Sequence, residues 1–248
     1  MFWKELKSLG GERRSSISDK IDISEWYDHF KSILGHTFNE TADQSNVQDD
    51  DVAEEADHFL NQEITVDEVQ KAVTNLKPGK ACGLDNVLAE MLKAGGQEVI
   101  PFMTKLFNTF FDKGIYPSEW AKAIIIPIHK KKGNIHSVDN YRGVSLLSII
   151  SKCYTAVLNT RLYTWLEENE RIVETQAGFR RNYSTTDQIF NLYAIAQKCL
   201  NKKGQKLYVA FVDFRKAFDS IRRDKLLQAV QQEGVKGIFF FYFFEVYV

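Results

Sequence analysis

The sequence has few of the residues that cross-link or stiffen a chain, with three cysteines and four prolines among 248 residues. Cys82, Cys153 and Cys199 are far apart and odd in number, which argues against a disulfide framework and favours a reducing compartment. We therefore expect an intracellular protein, cytoplasmic or nuclear, that is not secreted. The cysteines also lack the spacing of a metal site, and we interpret Cys153 and Cys199 as small buried side chains.

Long apolar runs and an excess of one charge are also missing. Residues 1–20 lack the apolar core of a signal peptide. The longest apolar run, residues 238–248, is interrupted by Glu245 and is too short to span a membrane. We therefore expect no membrane association. Because the formal net charge is −1, any binding of nucleic acid has to come from a local basic patch.

The composition of the chain changes near residue 62. Residues 1–62 are polar and carry the acidic run Asp49-Asp50-Asp51, which is typical of a partly disordered linker. We expect a folded domain over residues 63–248, in which 235–248 form an atypical aromatic tail. Phe239 to Phe244 in that tail predict an exposed apolar patch and self-association.

Helical periodicity and capping signals are interleaved with β-branched runs. Thr65 and Glu68 have the spacing of a capping box, and Ser148 is placed to cap a long helix. Residues 124–128 and 144–147 predict the two strands of a hairpin. Strands among long helices indicate a mixed α/β or α+β class. The other predicted helices cover residues 26–34, with Tyr27, Phe30 and Leu34 on one face, and 84–94, 98–112, 185–200 and 223–233.

The apolar run at residues 207–212 ends abruptly at Asp213. A short run of this kind after a turn signal is typical of a fully buried strand. Ligands in open sheets lie beyond the carboxyl ends of the strands, so a carboxylate there can hold a hard cation such as Mg²⁺. The alternative is that Asp213 only caps the next turn.

The segment around Asp213, LYVAFVDFRKAFD, resembles the first catalytic motif of reverse transcriptases from retrotransposons without long terminal repeats. Further segments resemble that family in the same order, over roughly residues 64–234. The resemblance implies the fingers and the first half of the palm of a right-hand polymerase. It also implies RNA-templated DNA synthesis by magnesium-dependent nucleotidyl transfer. The further segments are 76–85 (LKPGKACGLD) with 90–93, 120–133 (WAKAIIIPIHKKKG), 140–148 (NYRGVSLLS), and 176–180 (QAGFR) with 184–187.

The resemblance implies roles for single residues around this motif. Asp213 would be a catalytic carboxylate and, with the carbonyl of Phe214, a Mg²⁺ ligand. Arg142 would hold the triphosphate, because a guanidinium group matches phosphate oxygens bidentately. Phe218 would lie under the incoming sugar, and its alternative role is core packing. We interpret Asp219 as a structural cap of the turn.

The resemblance also assigns basic residues to nucleic acid and nucleotide. Lys130, Lys131 or Lys132 would help to hold the triphosphate, and the spacing does not say which. Arg180 and Arg181 would contact the backbone of the template, where a basic groove is expected. The implied partners are an RNA template, a DNA primer and a deoxynucleoside triphosphate.

His129 and His136 flank the three lysines. A zinc site needs more ligands nearby than the sequence offers, so we expect both to be exposed loop histidines.

Two features of the family's palm do not follow Asp213, namely a turn segment with Gly-Gln and a hairpin with two adjacent aspartates. The only adjacent aspartates lie at positions 49–51. A two-metal site needs several carboxylates. We therefore predict that this chain alone does not polymerise DNA and does not bind Mg²⁺ tightly.

Two other functions are alternatives to a polymerase fragment. A non-enzymatic RNA-binding module derived from the fingers is disfavoured by the net charge of −1. An aspartyl phosphohydrolase would carry a second carboxylate two residues after Asp213, where this chain has Arg215. Half a palm would also leave a sheet edge unpaired, which is a second reason to expect self-association.

Overall fold

The computed structural model shows a mixed fold of helices and one small sheet. It describes residues 21–34, 58–201, 204–214, 217–218 and 221–241. The elements are α1 (Ile23–Leu34), α2 (His58–Asn61), α3 (Val66–Thr74), α4 (Ala89–Lys113), α5 (Ser118–Ala121), β1 (Ile124–His129), β2 (Tyr141–Leu146), α6 (Ile149–Glu168), α7 (Thr185–Leu200) and α8 (Arg223–Gln232).

The predicted helix starts are present. The Thr65 hydroxyl accepts a hydrogen bond from the Glu68 amide at 3.3 Å, and the Glu68 carboxylate accepts one from the Thr65 amide at 2.8 Å. This is the capping box that the spacing predicted for α3. Ser148 caps α6 by accepting from the Ser151 amide.

The helices predicted at 84–94 and 98–112 form one kinked element, α4. Gly96 has φ 45° and ψ −127° inside it, a conformation open to glycine but costly for other residues. The first half begins at Ala89 rather than Leu84. The reason is local, because the Asp85 carboxylate accepts from the Val87 amide at 3.2 Å and Asn86 has φ 56°, so this stretch is a turn.

The core lies between α3, α4 and α6. Phe107 packs edge-on against Tyr154, with ring centroids 4.9 Å apart, and against Trp120 at 6.1 Å. Such aromatic pairs add to the free energy gained from burying their large apolar area. Cys153 is fully buried in this core, and burial raises the pKa of its thiol to about 12. The prediction of a buried Cys153 is confirmed, whereas Cys199 is only half-buried.

A buried arginine joins α6 to the segment before α3. Arg161 is 2% exposed, and its guanidinium donates to both carboxylate oxygens of Glu68, at 2.6 and 2.8 Å. It also donates to the backbone carbonyls of Leu60, Gln62 and Glu63. Burial raises the pKa of Glu68, but hydrogen bonds from Arg161 and Thr65 outweigh that effect and leave the pKa below its usual value.

The start of the aromatic tail belongs to the core, which corrects the prediction of an exposed patch from Phe239 onward. Val235 and Phe239 are fully buried. The Asn61 side chain fixes them in place, because its carbonyl accepts from the Phe239 amide at 2.9 Å and its amide donates to the Lys236 carbonyl at 3.2 Å. The remainder of the predicted patch, from residue 242, lies outside the described residues.

The predicted linker, residues 1–62, is described only in part. Residues 21–34 and 58–61 are described, and Leu60 is fully buried in the core. Helix α1 is present, and of the three side chains predicted on its apolar face only Phe30 is half-buried. Trp26, His29, Phe30 and Ile33 are half-buried, whereas Tyr27 and Leu34 are exposed. The rest of the segment, including the acidic run, lies outside the described residues.

The hairpin predicted from the β-branched runs is confirmed. Strands β1 and β2 pair antiparallel, from Ile124 opposite Leu146 to His129 opposite Tyr141. The Lys130 amide continues the ladder with a 2.8 Å hydrogen bond to the Asn140 carbonyl. The intervening loop folds into a short 3-10 turn at Val138–Asn140.

The buried strand predicted at residues 207–212 is wrong. Residues 205–214 have no regular structure, and Phe211 is 84% exposed. A strand must pair its amides and carbonyls. Within the part of the chain that is described, β1 and β2 pair only with each other and no third strand lies beside this segment. The unpaired sheet edge expected from that strand is therefore not seen either.

No helix among the described residues has the length and apolar character needed to cross a bilayer.

Replacing Arg161 with Met is expected to lower the free energy of unfolding by about 3–5 kcal/mol. The loss arises because three backbone carbonyls and the Glu68 carboxylate lose their donor. Urea denaturation followed by circular dichroism measures it. The control is Lys71→Met, which removes the ion pair to Asp67 at a site 72% exposed and should change stability by about 0.5 kcal/mol or less. Equal effects of the two changes would contradict this account of Arg161.

Replacing Phe239 with Ala is expected to cost about 3–5 kcal/mol of unfolding free energy, because the ring is buried in the core. The matched control is Phe241→Ala in the same tail, where the exposed ring should matter by about 0.5 kcal/mol or less. Thermal and urea melts of both variants test the assignment. It fails if the two substitutions are equally mild.

Candidate functional site

Three separate stretches of the chain line one cavity of about 1090 Å³. They are the end of α1, the β1–β2 hairpin with its lysine turn, and the segment that follows the apolar run. The cavity therefore brings most of the residues singled out from the sequence to one place. Those residues are Lys130, Lys131, Lys132, Arg142, Asp213, Phe214 and Phe218.

Arg142 lies in β2 opposite Ile128 and is exposed. Within the described part of the chain, no carboxylate or carbonyl binds its guanidinium. An arginine held on a strand with its donors unused is suited to an anionic ligand, because its fork of N–H groups matches phosphate oxygens.

The three lysines at the turn differ in what they contact. The Lys130 ammonium donates to the backbone carbonyl of Asp139 at 2.7 Å, which closes the base of the hairpin loop. Lys131 has φ 59°, and its amide donates to His129 Nδ1 at 3.2 Å. The ammonium groups of Lys131 and Lys132 have no protein acceptor among the described residues. They are thus better placed than Lys130 to meet a phosphate.

His129 is not the exposed loop histidine that the sequence predicted. It is the last residue of β1 and is half-buried, and its ring meets that of Tyr141 edge-on with the centroids 5.0 Å apart. Its Nε2 is buried and has no hydrogen-bond partner among the residues that the structure describes. His129 pairs with Tyr141 across the hairpin. The alternation of side chains between the two faces of β1 is the sequence signal that would have predicted its burial. His136 lies in the loop, where its amide donates to the Asn134 side chain.

Asp213 and Phe214 border the cavity from an exposed, irregular segment. Phe218 is exposed too, and its ring meets that of Phe179 edge-on at 5.8 Å, so it is not core packing. Asp219 and Arg215 lie outside the described residues.

The described residues do not complete a magnesium site. Asp213 and Asp139 are the carboxylates of the cavity wall. No group of three or more potential metal ligands occurs in the described part of the chain. A two-metal site needs several carboxylates, so we assign no metal-dependent step to these residues.

Arg180 and Arg181 lie away from the cavity lining and have protein partners. Arg180 is 12% exposed and donates to both carboxylate oxygens of Glu167, at 2.9 and 2.8 Å, and to Glu174 at 3.3 Å. Hydrogen bonds from Arg180 and then Tyr163 lower the pKa of Glu167 to about 2. The Arg181 guanidinium lies over the Tyr163 ring at 4.7 Å. These contacts favour a structural role for Arg180.

Sequence reasoning missed the contribution of α1 to the cavity. His29, Phe30, Ile33 and Leu34 line it, although they lie in the segment predicted to be a linker. The signal was present in the spacing of Trp26, His29, Phe30 and Ile33, which recurs at helical intervals. The prediction included Tyr27 instead of Trp26. The predicted buried face of the helix was therefore rotated relative to the observed one.

Comparison with known proteins places the chain in a family. Residues 128–246 match the family described as "Reverse transcriptase (RNA-dependent DNA polymerase)". The chain is 30% identical, over 68% of its length, to the "Probable RNA-directed DNA polymerase from transposon BS" of Drosophila melanogaster. It is also 30% identical, over 66% of its length, to the "RNA-directed DNA polymerase from mobile element jockey" of the same species.

A third relative is the "Probable RNA-directed DNA polymerase from transposon X-element" of Drosophila melanogaster, with 30% identity over 68% of this chain. The matched parts make up only 18%, 18% and 19% of these three relatives, so the chain spans about a fifth of their length. The family that matches residues 128–246 and the names of these three relatives indicate the same kind of protein, an RNA-directed DNA polymerase. The chain belongs to the reverse transcriptases of LINE-type retrotransposons, which lack long terminal repeats.

Proposed function

We propose that this chain is the nucleotide-binding part of an RNA-templated DNA polymerase, comprising the fingers and the first part of the palm. One observation carries the proposal. The cavity of about 1090 Å³ gathers Arg142 and the lysine turn on one wall, and Asp213 and Phe218 on another, although some seventy residues separate the two walls in the sequence. A cationic wall beside apolar rings suits a deoxynucleoside triphosphate, because its phosphates are anionic and its base is a flat aromatic ring.

Each wall has a part in this proposal. Arg142, with Lys131 and Lys132, neutralises the triphosphate, because fixed cations stabilise charge that develops on phosphate oxygens. In this proposal Asp213 lies at the reacting end of the nucleotide, and Phe218, whose exposed ring also borders the cavity, contacts the sugar. Arg180 stabilises the fold through Glu167 rather than binding the template.

The polymerisation reaction would need more catalytic residues than those that line this cavity. Magnesium would supply a clamp on the attacking and leaving oxygens in that polymerase. Asp213 offers one of the carboxylates needed, and we infer that a polypeptide of these 248 residues binds Mg²⁺ weakly and does not extend a primer.

The exposed apolar surface also bears on partners. In α7, which is described throughout, no side chain is buried. Ile189, Phe190 and Tyr193 are exposed there, as are Tyr208 and Phe211 in the following segment. Contiguous exposed apolar area is a marker of association. We infer that self-association uses this surface rather than the start of the tail.

The three free cysteines are consistent with an intracellular setting.

Replacing Arg142 with Ala is expected to weaken binding of a fluorescent deoxynucleoside triphosphate by about tenfold, or about 1.4 kcal/mol. The unfolding free energy should change by about 0.5 kcal/mol or less, because the side chain is exposed and has no partner in the described part of the chain. Fluorescence anisotropy and urea denaturation measure the two quantities.

Arg180→Ala is the matched control for Arg142. It should give the reverse pattern, with a clear loss of stability and unaltered nucleotide affinity, because its guanidinium is committed to Glu167 and Glu174. A stability loss at Arg142 without a change in affinity would show that this arginine is structural instead.

Polymerase function is tested by primer extension on an RNA template with Mg²⁺ or Mn²⁺. The chain alone is expected to incorporate no more nucleotide than its Asp213→Asn variant. A chimera that joins this chain to the remaining palm and thumb of a jockey-type polymerase should extend the primer, and Asp213→Asn should abolish that activity. Extension that survives the substitution would remove Asp213 from the catalytic set.

A further inference from the structure

Helix α1 contacts the strand that carries Arg142. The helix lies far upstream of the residues that match the reverse transcriptase family, which begin at 128. Its half-buried side chains form a stripe on one face, spaced as a helix that packs on a neighbour requires. Two of them, Trp26 and Phe30, are stacked on each other with ring centroids 5.8 Å apart.

The two aromatic side chains hold β2 on either side of Arg142. Trp26 meets the ring of Tyr141 edge-on, with centroids 4.9 Å apart. Tyr141 is buried, and its hydroxyl donates to the Ile135 carbonyl at 2.8 Å, so that contact is tied to the hairpin loop as well. Phe30 lies against Gly143, the residue that follows Arg142.

The Phe30 ring occupies the space that a side chain at position 143 would need. A Cβ at this position would lie 2.6 Å from Phe30 Cε1 and 3.3 Å from Ile125 Cγ2. Gly143 is not among the glycines with positive φ, so its backbone conformation does not itself require glycine. The requirement is space for the ring. The sequence of β2 is thus adapted to the presence of α1.

The alternation of side chains along a strand gives this contact its consequence. Tyr141 and Gly143 face α1, so Arg142 between them leaves the strand on the opposite face. The backbone of Arg142 is therefore held from behind while its guanidinium is free of protein partners among the described residues.

We infer that α1 is a positioning element of the nucleotide site, in which Phe30 and Trp26 fix β2 so that Arg142 meets the triphosphate. This inference rests on the proposed function of Arg142. Phe30 also lines the cavity, but in this account both aromatic residues act on nucleotide binding through the strand. The helix, although it lies outside the matched region, is thus a working part of the polymerase site.

The test measures the affinity of the full chain for a fluorescent deoxynucleoside triphosphate. Phe30→Ala and Gly143→Ala should each weaken binding by about tenfold, since the first removes the support and the second pushes it away. Combining Gly143→Ala with Phe30→Leu should recover most of the affinity, because the shorter side chain makes room for the new methyl group. Tyr27→Ala is the control, since Tyr27 is exposed on the same helix.

A double-mutant cycle separates positioning from a general loss of structure. In an Arg142→Ala background, Phe30→Ala should weaken binding no further, because its effect passes through Arg142. Circular dichroism melts confirm that each variant is folded, and hydrogen exchange at residues 23–34 reports whether α1 stays on the hairpin.

The outcomes distinguish this inference from the proposed function. If Arg142→Ala weakens binding but Phe30→Ala and Gly143→Ala do not, the role of α1 is wrong and the nucleotide site stands. If Phe30→Ala has the same effect with and without Arg142, the helix does not act through this arginine. If Arg142→Ala binds as the parent chain does, the nucleotide site itself is wrong and the inference falls with it.

Discussion

The guanidinium of Arg161 has almost no contact with water, and all of its hydrogen bonds go to the protein. A buried cation is tolerated only when charge and hydrogen bonds compensate its lost hydration. Glu68 and the carbonyls before α3 do so, and they thereby fix α3 against α6. Because β2 leads directly into α6, the Arg161 cluster also sets the base from which the hairpin projects. Arg161 lies 19 residues after Arg142, on the helix that follows β2, so this buried charge anchors the element next to the hairpin.

Features that the sequence predicted correctly are those whose causes are local. The capping box of Thr65 and Glu68, the Ser148 cap and the β1–β2 hairpin each involve residues close in the chain, so their partners are visible in the sequence. The shifted start of α4 is also local, although the Asp85 turn outweighed the helical pattern. The buried Phe239 could not be predicted, because its partner Asn61 is 178 residues away.

Arg142 and Arg180 show why a motif does not determine what a charged side chain does. Both were predicted to bind phosphate, and both lie in segments that resemble the family. Arg180 lies within reach of Glu167 and Glu174, and the lowered pKa of Glu167 reflects how strongly that pair is coupled. Among the described residues, Arg142 has no such carboxylate partner, and the positions on either side of it in β2 contact α1. The difference lies in tertiary surroundings that the sequence does not display.

The two walls of the cavity differ in how they are held. The wall with Arg142 is built on a hairpin whose two strands pair with each other and whose back is covered by α1. The wall with Asp213 follows an apolar segment that has no strand beside it in the described structure. An apolar run shows that a segment is suited to burial, but it does not show whether a neighbouring strand is present to pair with it. For this reason the run at residues 207–212 predicted a strand that is not formed. The hairpin that carries Arg142 is therefore stabilised by contacts within the described part of the chain, whereas no strand pairs with residues 207–212 there to hold the side with Asp213.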